Sequence, residues 1–574
     1  MKNLLKYALV LSLFLPHGAL AQTKQKISLL LFNGKVFTAD AQFTIAEAVA
    51  VDGERIVAVG NSNELKAKYA AAKEIDLRGK LVTPGFNDAH VHFFRGALSL
   101  LTVNVFEAKT ADEAAQRVAA KVKETKPGEW IVGRGWDHTL WGGKFPNKND
   151  LDKVAPSNPV FLVRVDGHVG WANSAALKLA KLDKTTKNPE GGEIERGADG
   201  EATGILKETA QEFVSGLIPP PTAEQQIKGL ELALKMAREL GITSVQDNSG
   251  YETTKLYRSF LKQNKLTVRV AEWQDFEDSV EELKRQRVEF DSFKDDKNRL
   301  KLTALKGYVD GTLGSKTAAM LAPFSDDAGN SGIPRRSQEE LTKMIVERDK
   351  EGFQIALHAI GDRANRMALD GFAETRRNNP AKVNADKSKV VGSSISIYFA
   401  LPRHRIEHAQ VVSPADFKRF AELGIVASMQ PTHAVSDKRW ADSRLGEYRV
   451  LGAYAWHLMK SYDVRVPFGT DFPVEAINPY ATLHAAVARQ DATGMPSGGW
   501  QPQERLSIED AIRCHTFESA YAEFAESEKG EIKAGMLADL VVHSKDLTTI
   551  APIEILKTEP IYTIFNGQII YEKK

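Results

Sequence analysis

Cysteine is almost absent from this sequence, since its 574 residues include a single one, Cys514. One cysteine excludes an internal disulfide, so the fold has to be stabilised by a hydrophobic core or by a bound metal. We expect Cys514 to be a buried, small apolar residue in the helix-like stretch 508–521. An excess of charge is absent too, because 76 basic and 75 acidic side chains give a net charge of +1. That balance argues against a nucleic-acid partner.

Long hydrophobic runs are also missing. No segment has about 18 uncharged apolar residues in succession, so we expect no stable membrane anchor. The chain is nevertheless 43% hydrophobic, which is enough for a large core.

Residues 1–21 have the pattern of a signal peptide. Lys2 and Lys6 mark a basic start, residues 7–15 are a short apolar run, and Ala19-Leu20-Ala21 offers a small-x-small cleavage site. We expect export of the remaining chain, to the periplasm in a Gram-negative cell and to the medium otherwise. The residue directly after the expected cleavage site is Gln22 and not a cysteine, so lipid attachment there has no nucleophile.

Two segments near opposite ends of the chain resemble each other. Residues 28–37 and 561–570 each place an Asn-Gly pair, Asn33-Gly34 and Asn566-Gly567, between apolar runs, which is a strong hairpin signal. We expect both ends to share a small sheet, and we predict a composite β-sandwich domain from residues 22–80 and 526–574.

Between these ends, from residue 81 to 525, strand-like apolar runs alternate with helical stretches, as in parallel βα units. Eight runs predict an α/β fold of the TIM (β/α)8 barrel type, whose chemistry lies at the carboxyl ends of the strands. The runs are 81–93, 241–247, 266–273, 300–311, 353–361, 404–410, 424–431 and 464–473.

The gap after the first run, about residues 94–240, is far longer than one crossover requires. It predicts an inserted subdomain after the first barrel strand. This insertion holds Trp130, Trp136, Trp141 and Trp171, half of the eight tryptophans. A lid or substrate platform and a self-contained aromatic core explain this enrichment equally well.

Histidines gather at the predicted strand ends. His90 and His92 end the first run on one face of a strand, which by itself is weak support for a metal site. His358, His408 and Asp471, however, close three further runs. Four imidazoles and a carboxylate at one barrel mouth would be costly without a cation, and such donors suit Zn²⁺ or a similar metal. We therefore predict a site for one or two divalent ions.

Lys306, in the fourth run, has two interpretations. It is either a structural lysine paired with a carboxylate or a buried, neutral amine that takes up CO₂ to form a carbamate between two cations.

These motifs resemble the amidohydrolase superfamily, most of all its branch with N-substituted formamide deformylases. The resemblance spans nearly the whole chain after residue 21 and rests mainly on residues 84–92, 306–311, 358–362, 405–408 and 469–473. It implies that His90 and His92 bind the more buried metal, that carbamylated Lys306 bridges, and that His358 and His408 bind the second metal. Asp471 would be both ligand and catalytic base. Gly307 departs from the pattern, which usually has a bulkier apolar residue there.

The resemblance implies an exported metal-dependent hydrolase that cleaves the C–N bond of a small amide, formamide or cyclic amide. A lactonase or esterase on the same metal centre is an alternative. A third hypothesis, a non-catalytic exported binding protein, is opposed by the complete ligand set.

Two further questions concern single histidines and assembly. His168, in the insertion, is a candidate catalytic residue that contacts the substrate or its oxyanion, with a plain structural hydrogen bond as the alternative. His433 follows the seventh run and receives no role. A homo-oligomer is compatible with the sequence.

Overall fold

The computed structural model describes residues 23–164, 167, 169–189, 192–293, 296, 298–379 and 402–574. The predicted signal peptide 1–21 and the candidate catalytic residue His168 lie outside the described residues.

The amino-terminal strands are divided between two sheets. They are β1 (Gln25–Phe32), β2 (Lys35–Phe37), β3 (Ile45–Ala46), β4 (Ala48–Asp52), β5 (Arg55–Gly60), β6 (Tyr69–Asp76) and β7 (Leu81–Pro84), with helix α1 (Ser62–Lys68) before β6. One sheet has the order β5-β4-β1-β6, and β2, β3 and β7 join a second sheet. The expected hairpin at Asn33-Gly34 is therefore wrong. Because β1 pairs with β4 on one side and β6 on the other, it leaves no edge for β2.

The barrel begins with β8 (Phe86–Val91), which is followed by helix α2 (Phe93–Ser99). The predicted first run is thus split between β7 in the terminal sheet and β8 in the barrel. Gly85 lies at the break, where a Cβ would be 2.2 Å from Thr243 Oγ1. The absence of a side chain lets the chain pass from one sheet to the other.

In chain order, the strands of a separate six-stranded sheet come between β8 and the other barrel strands. Its strands are β9 (Val103–Asn104), β10 (Ile131–Trp136), β11 (Val160–Arg164), β12 (Val169–Ala172), β13 (Gly192–Arg196) and β14 (Ala202–Glu208), in the order β13-β14-β12-β11-β10-β9. Its helices are α3 (Ala111–Val122), α4 (Lys148–Asp152), α5 (Ser174–Leu179) and α6 (Glu212–Ser215). Trp136, Trp141 and Trp171 pack together with ring centroids 6.1 to 6.2 Å apart.

Six further parallel strands extend the barrel sheet. They are β15 (Ile242–Asp247), β16 (Arg269–Asp275), β17 (Leu300–Tyr308), β18 (Gln354–Ala359), β19 (Arg405–His408) and β20 (Val426–Ser428), in the order β20-β19-β18-β17-β16-β15-β8. The eighth predicted run, residues 464–473, is not a regular strand. It nevertheless hydrogen-bonds to the segments at both edges of the seven-stranded sheet. Met429 N donates to Pro467 O, and Ala89 N donates to Phe468 O. The α/β class is confirmed, with a nearly closed barrel of seven parallel strands.

Helices separate most of the barrel strands. They are α7 (Ala223–Glu239), α8 (Thr254–Lys262), α9 (Val280–Ser292), α10 (Gln338–Lys350), α11 (Asp362–Asn378), α12 (Phe417–Leu423), α13 (Pro431–Arg449), α14 (Trp456–Ser461), α15 (Pro479–Ala488), α16 (Ile508–Cys514) and α17 (Phe517–Ala522). Side-chain caps begin several of them, as where Thr222 accepts from Gln225 N and Ser337 from Glu340 N. Cys514 is buried at the end of α16, as expected. Within the described ranges, no helix combines the length and hydropathy of a membrane span.

The carboxyl-terminal strands return to the amino-terminal ones. β21 (Leu540–His543), helix α18 (Pro552–Ile555), β22 (Pro560–Phe565) and β23 (Gln568–Glu572) end the fold. β21 pairs with β7, so both chain ends share the sheet β23-β22-β21-β7-β2-β3. The turn at Asn566-Gly567 does form a hairpin, between β22 and β23. The domain bounds 22–80 and 526–574 stay predictions.

A buried ion pair ties the barrel to this terminal sheet. Arg269 of β16 donates from Nε to Asp539 Oδ2 at 2.6 Å and from Nη2 to Oδ1 at 2.9 Å. Only 3% of the arginine side chain and 4% of the aspartate side chain are exposed. Because both charges have lost their water, each depends on the other.

Replacement of Asp539 by asparagine should lower the free energy of unfolding by about 3 kcal/mol, because it leaves the Arg269 guanidinium buried without a counter-charge. Urea unfolding followed by circular dichroism measures the change. Glu422→Gln, which breaks an exposed pair with Lys418, is the control and should cost less than about 1 kcal/mol. Equal losses in the two variants would contradict the prediction.

Candidate metal centre

The structure brings the first histidine pair and Asp471 together at the carboxyl end of β8. His90 Nε2 and His92 Nε2 each lie 3.4 Å from Asp471 Oδ1. The backbone also holds these residues in register, since Asp471 N donates to His90 O at 2.8 Å. The segment that joins the two edges of the barrel, residues 464–473, therefore positions the Asp471 carboxylate beside the two histidines.

His408 completes a compact group with His90 and Asp471. Ligand atoms of these three buried residues all lie within 4.8 Å of one another. The imidazole rings of His90 and His408 have centroids 5.1 Å apart. Two imidazoles and a carboxylate at this spacing are a donor set that suits a first-row divalent metal.

His358 lies beside His408, with ring centroids 4.5 Å apart. Its Nε2 donates to Gly311 O at 2.9 Å, which leaves Nδ1 with the lone pair. Burial lowers the pKa of His358 to about 3 and the pKa of His408 well below its usual value. Both rings are therefore neutral at physiological pH, the protonation state that binds a metal.

Lys306 points its amine at the same group, with Nζ 3.4 Å from His90 Nε2. Burial lowers the pKa of Lys306 to about 8, although the charges of Glu407 and Asp471 act in the opposite direction. A neutral amine is thus accessible near neutral pH. The departure at Gly307 has a steric reason, because a Cβ there would lie 2.8 Å from Phe276 and 2.9 Å from Leu357.

The Nδ1 atoms of His90, His92 and His408 each have a hydrogen-bond partner that the sequence did not reveal. His90 Nδ1 bonds Glu407 Oε2 at 2.6 Å, His92 Nδ1 bonds Asn248 O at 3.0 Å, and His408 Nδ1 bonds Gln430 Oε1 at 2.8 Å. Such partners fix the tautomer, so that the Nε2 lone pairs of all three histidines are available as ligands.

Asp471 provides the test of whether a metal fits. Its Oδ1 is buried and receives no hydrogen bond from the described residues. Burial alone would raise the pKa of Asp471, but the imidazoles of His90 and His92 outweigh it and hold the pKa well below its usual range. A buried carboxylate oxygen that receives no hydrogen bond from these residues and lies 3.4 Å from the Nε2 atoms of His90 and His92 fits a cation ligand.

His433 is a site residue to which the sequence gave no role. Its ring stacks on that of His408 with centroids 5.9 Å apart, and its Nε2 lies 3.7 Å from Asp471 Oδ2. This nitrogen is buried and has no hydrogen-bond partner among the described residues. The only available signal was its place three residues beyond Gln430, after the seventh run.

A parallel barrel with histidine and carboxylate donors at the carboxyl ends of its strands is the framework of a metal-dependent enzyme. Comparisons with known proteins agree. A family model described as "Amidohydrolase family" matches residues 73–571. The chain therefore belongs to the amidohydrolase family, and it is a metal-dependent hydrolase that acts on C–N bonds.

Individual relatives resemble nearly the whole chain. It is 33% identical to Protein LONG AFTER FAR-RED 3 of Arabidopsis thaliana, over 94% of this chain and 90% of that protein. It is 29% identical to the N-substituted formamide deformylase of Arthrobacter pascens, over 96% and 99% respectively. An uncharacterized metal-dependent hydrolase from Pyrococcus horikoshii aligns with a TM-score of 0.72 at 27% identity, covering 91% of this chain and 99% of that one.

Gln430→Met should weaken zinc binding by about 10- to 100-fold, because it removes the acceptor that orients His408. Titration of the metal-free protein against a chelator measures the affinity. Gln410→Met is the matched control, since this buried glutamine donates to Tyr454 rather than to a ligand histidine. The same loss of affinity in both variants would show that the effect is general to the barrel mouth.

Proposed function

We propose that this protein hydrolyses the C–N bond of a small amide, formamide or cyclic amide. The observation that carries the proposal is the convergence of His90, His408 and Asp471, whose ligand atoms lie within 4.8 Å of one another. The similarity to a protein named N-substituted formamide deformylase supports a formamide as the first substrate to test.

The proposed metal ions are one or two zinc ions. His90 and His92 would hold the first, His358 and His408 the second, and a carbamate on Lys306 would bridge them, with Asp471 as a further ligand. The carbamate forms when the neutral Lys306 amine adds to CO₂ and releases a proton. When bound, the metal supplies Lewis-acid chemistry that makes a water more acidic and a carbonyl more electrophilic.

The residues of the chain handle the protons. Asp471 is ionised because the neighbouring imidazoles hold its pKa well below its usual range, so it can accept a proton from the attacking water. In the overall reaction the water oxygen joins the carbonyl carbon, the C–N bond breaks, and Asp471 returns the proton to the leaving nitrogen. The carboxylate is only 8% exposed, which keeps bulk water from competing for that proton.

A lactonase or esterase on the same centre is the second candidate, because only the leaving atom differs. The non-catalytic binding protein is set aside, because the chain belongs to the amidohydrolase family and retains His90, His92, His358, His408 and Asp471.

Export belongs to the same proposal. The amino-terminal pattern at residues 1–21 supports a periplasmic or secreted enzyme that acts on a small-molecule substrate. We also propose His168, the residue directly before the strand that begins at Val169, as a contact to that substrate.

The zinc-loaded protein should hydrolyse N-benzylformamide, and Asp471→Asn should lose about 10²- to 10⁴-fold in kcat, because an amide cannot accept the proton from water. Release of benzylamine measures turnover, and elemental analysis measures the metal that the variant retains. Benzyl formate is the matched ester. Cleavage of the ester alone would favour the esterase, and near-normal activity of Asp471→Asn would remove that residue as the base.

Lys306→Ala should lose one metal equivalent and most activity, because the bridging anion is gone. Short carboxylic acids such as propionate should partly restore both by filling the vacated space, whereas they have no such role if Lys306 is an ordinary charged lysine. Elemental analysis and turnover with and without the acid make the measurement. A variant that still holds two metals would refute the carbamate.

A further inference from the structure

Tyr308, which follows Lys306 by two residues in the chain, neighbours His358, Lys306 and Arg335. The ring of Tyr308 lies 5.4 Å from the ring of His358, centroid to centroid. The guanidinium of Arg335 lies 4.9 Å from the centroid of the Tyr308 ring, and the Lys306 amine lies 4.8 Å from the same centroid. Arg335, the Lys306 amine and the His358 ring therefore all neighbour the same aromatic ring, which places Arg335 close to the metal centre.

A second arginine, Arg95, belongs to helix α2, which begins directly after His92. Burial raises the pKa of Tyr308, and the positive charges of both Arg95 and Arg335 act in the opposite direction. Arg335 thus lies against the Tyr308 ring, and the charge of Arg95 acts on Tyr308 from helix α2. Both arginine side chains are solvent-exposed.

Neither arginine is neutralised by a salt bridge to a described residue. Within the part of the chain that the structure describes, Arg95 and Arg335 make no salt bridge, and no hydrogen bond from either guanidinium is found. The next residue, Arg336, shows the contrast, because its Nη2 donates to both carboxylate oxygens of Glu277, at 2.9 and 2.8 Å. Of two adjacent arginines, Arg336 is therefore paired with an acid, whereas Arg335 makes no salt bridge among the described residues. The charge of Arg335 does act on the buried carboxyl of Asp310, where it opposes the rise that burial gives the pKa of that group.

We propose that the substrate carries a carboxylate, which Arg335 and Arg95 bind beside Tyr308. This inference rests on the proposed function, because it specifies which amides the site selects. A guanidinium presents paired N–H donors that match the two oxygens of a carboxylate, and its position over an aromatic ring keeps it in place. The Tyr308 hydroxyl accepts from Asn248 Nδ2 at 3.3 Å, so its own hydrogen remains available as a further donor.

The distance between the metal-centre histidines and Arg335 limits the length of the substrate. With the amide carbonyl at the histidines and the carboxylate at Arg335, only a few bonds can lie between them, since the Tyr308 ring centroid is 4.9 Å from the Arg335 guanidinium and 5.4 Å from the His358 ring. An N-formyl or N-acyl amino acid has this arrangement, because three bonds connect the acyl carbon to the carboxylate carbon. The proposed substrate class is therefore N-acylated amino acids and amides with a similarly placed carboxylate.

Matched substrate pairs test the inference on the zinc-loaded enzyme. N-formylphenylalanine and N-formyl-2-phenylethylamine differ only by the carboxylate, as do N-formylleucine and N-formylisopentylamine. We expect kcat/KM to be at least about 10-fold higher for the charged member, as charge-assisted hydrogen bonds provide. Arg335→Gln and Arg95→Gln should each lower this preference about 10-fold, mainly through KM, and Arg335→Glu should reverse it. Arg336→Gln is the matched control and should leave the preference unchanged.

Binding of 3-phenylpropionate, which has no amide, separates this inference from the proposed function. Calorimetry should show that Arg335→Gln weakens its binding about 10-fold and that Arg336→Gln does not. If no amide is cleaved but this Arg335-dependent binding is found, the carboxylate site stands and the proposed reaction fails. Equal kcat/KM within the pairs, or binding that is independent of Arg335, overturns the carboxylate inference while amide cleavage stands.

Discussion

The metal centre depends on one buried charge, the carboxylate of Glu407. Burial raises the pKa of this group, but the charges of Arg405, His90 and Lys306 outweigh it and bring the pKa to about 2. Glu407 Oε1 accepts from Arg405 Nε at 2.7 Å, and Oε2 bonds His90 Nδ1 at 2.6 Å. Because His90 Nδ1–H donates a hydrogen bond to the Glu407 carboxylate, the lone pair of His90 lies on Nε2, which is left as a ligand. The hydrogen bonds from Arg405 and His90 to Glu407 thus determine which nitrogen of His90 is free to bind a metal.

The backbone is strained at the strand ends that carry His408 and Asp471. His408 has φ +72° and Asp471 has φ +57°, a region that residues other than glycine rarely adopt. The turn at His408 lets it join Glu407 on the inner side of the barrel, where regular alternation would separate adjacent side chains. Strain of this kind is common where a site needs a particular direction of a side chain. It is compensated here by hydrogen bonds such as that from Asp471 N to His90 O, at 2.8 Å.

Much of the fold and the donor set could be read from local pattern. Apolar runs predicted the parallel strands, and polar residues at their ends predicted where His90, His358 and His408 would lie. Two errors came from contacts that local pattern does not contain. The hairpin at Asn33-Gly34 failed because β6 occupies the edge of β1. The eighth run lacks regular strand structure, although it hydrogen-bonds to both edges of the barrel.

The sequence by itself determined the alternation of strands and helices, the absence of a disulfide and the residue types that can bind a metal. These follow from composition and from periodicities of a few residues. Only the tertiary structure decided which groups stand behind the ligands, since Gln430 and Asn248 are far from His408 and His92 in the chain. It also decided that Arg335 makes no salt bridge within the described ranges, while Arg336 pairs with Glu277. Hydrogen bonds and charge pairs act over a few ångströms, so their partners are known only once distant segments meet.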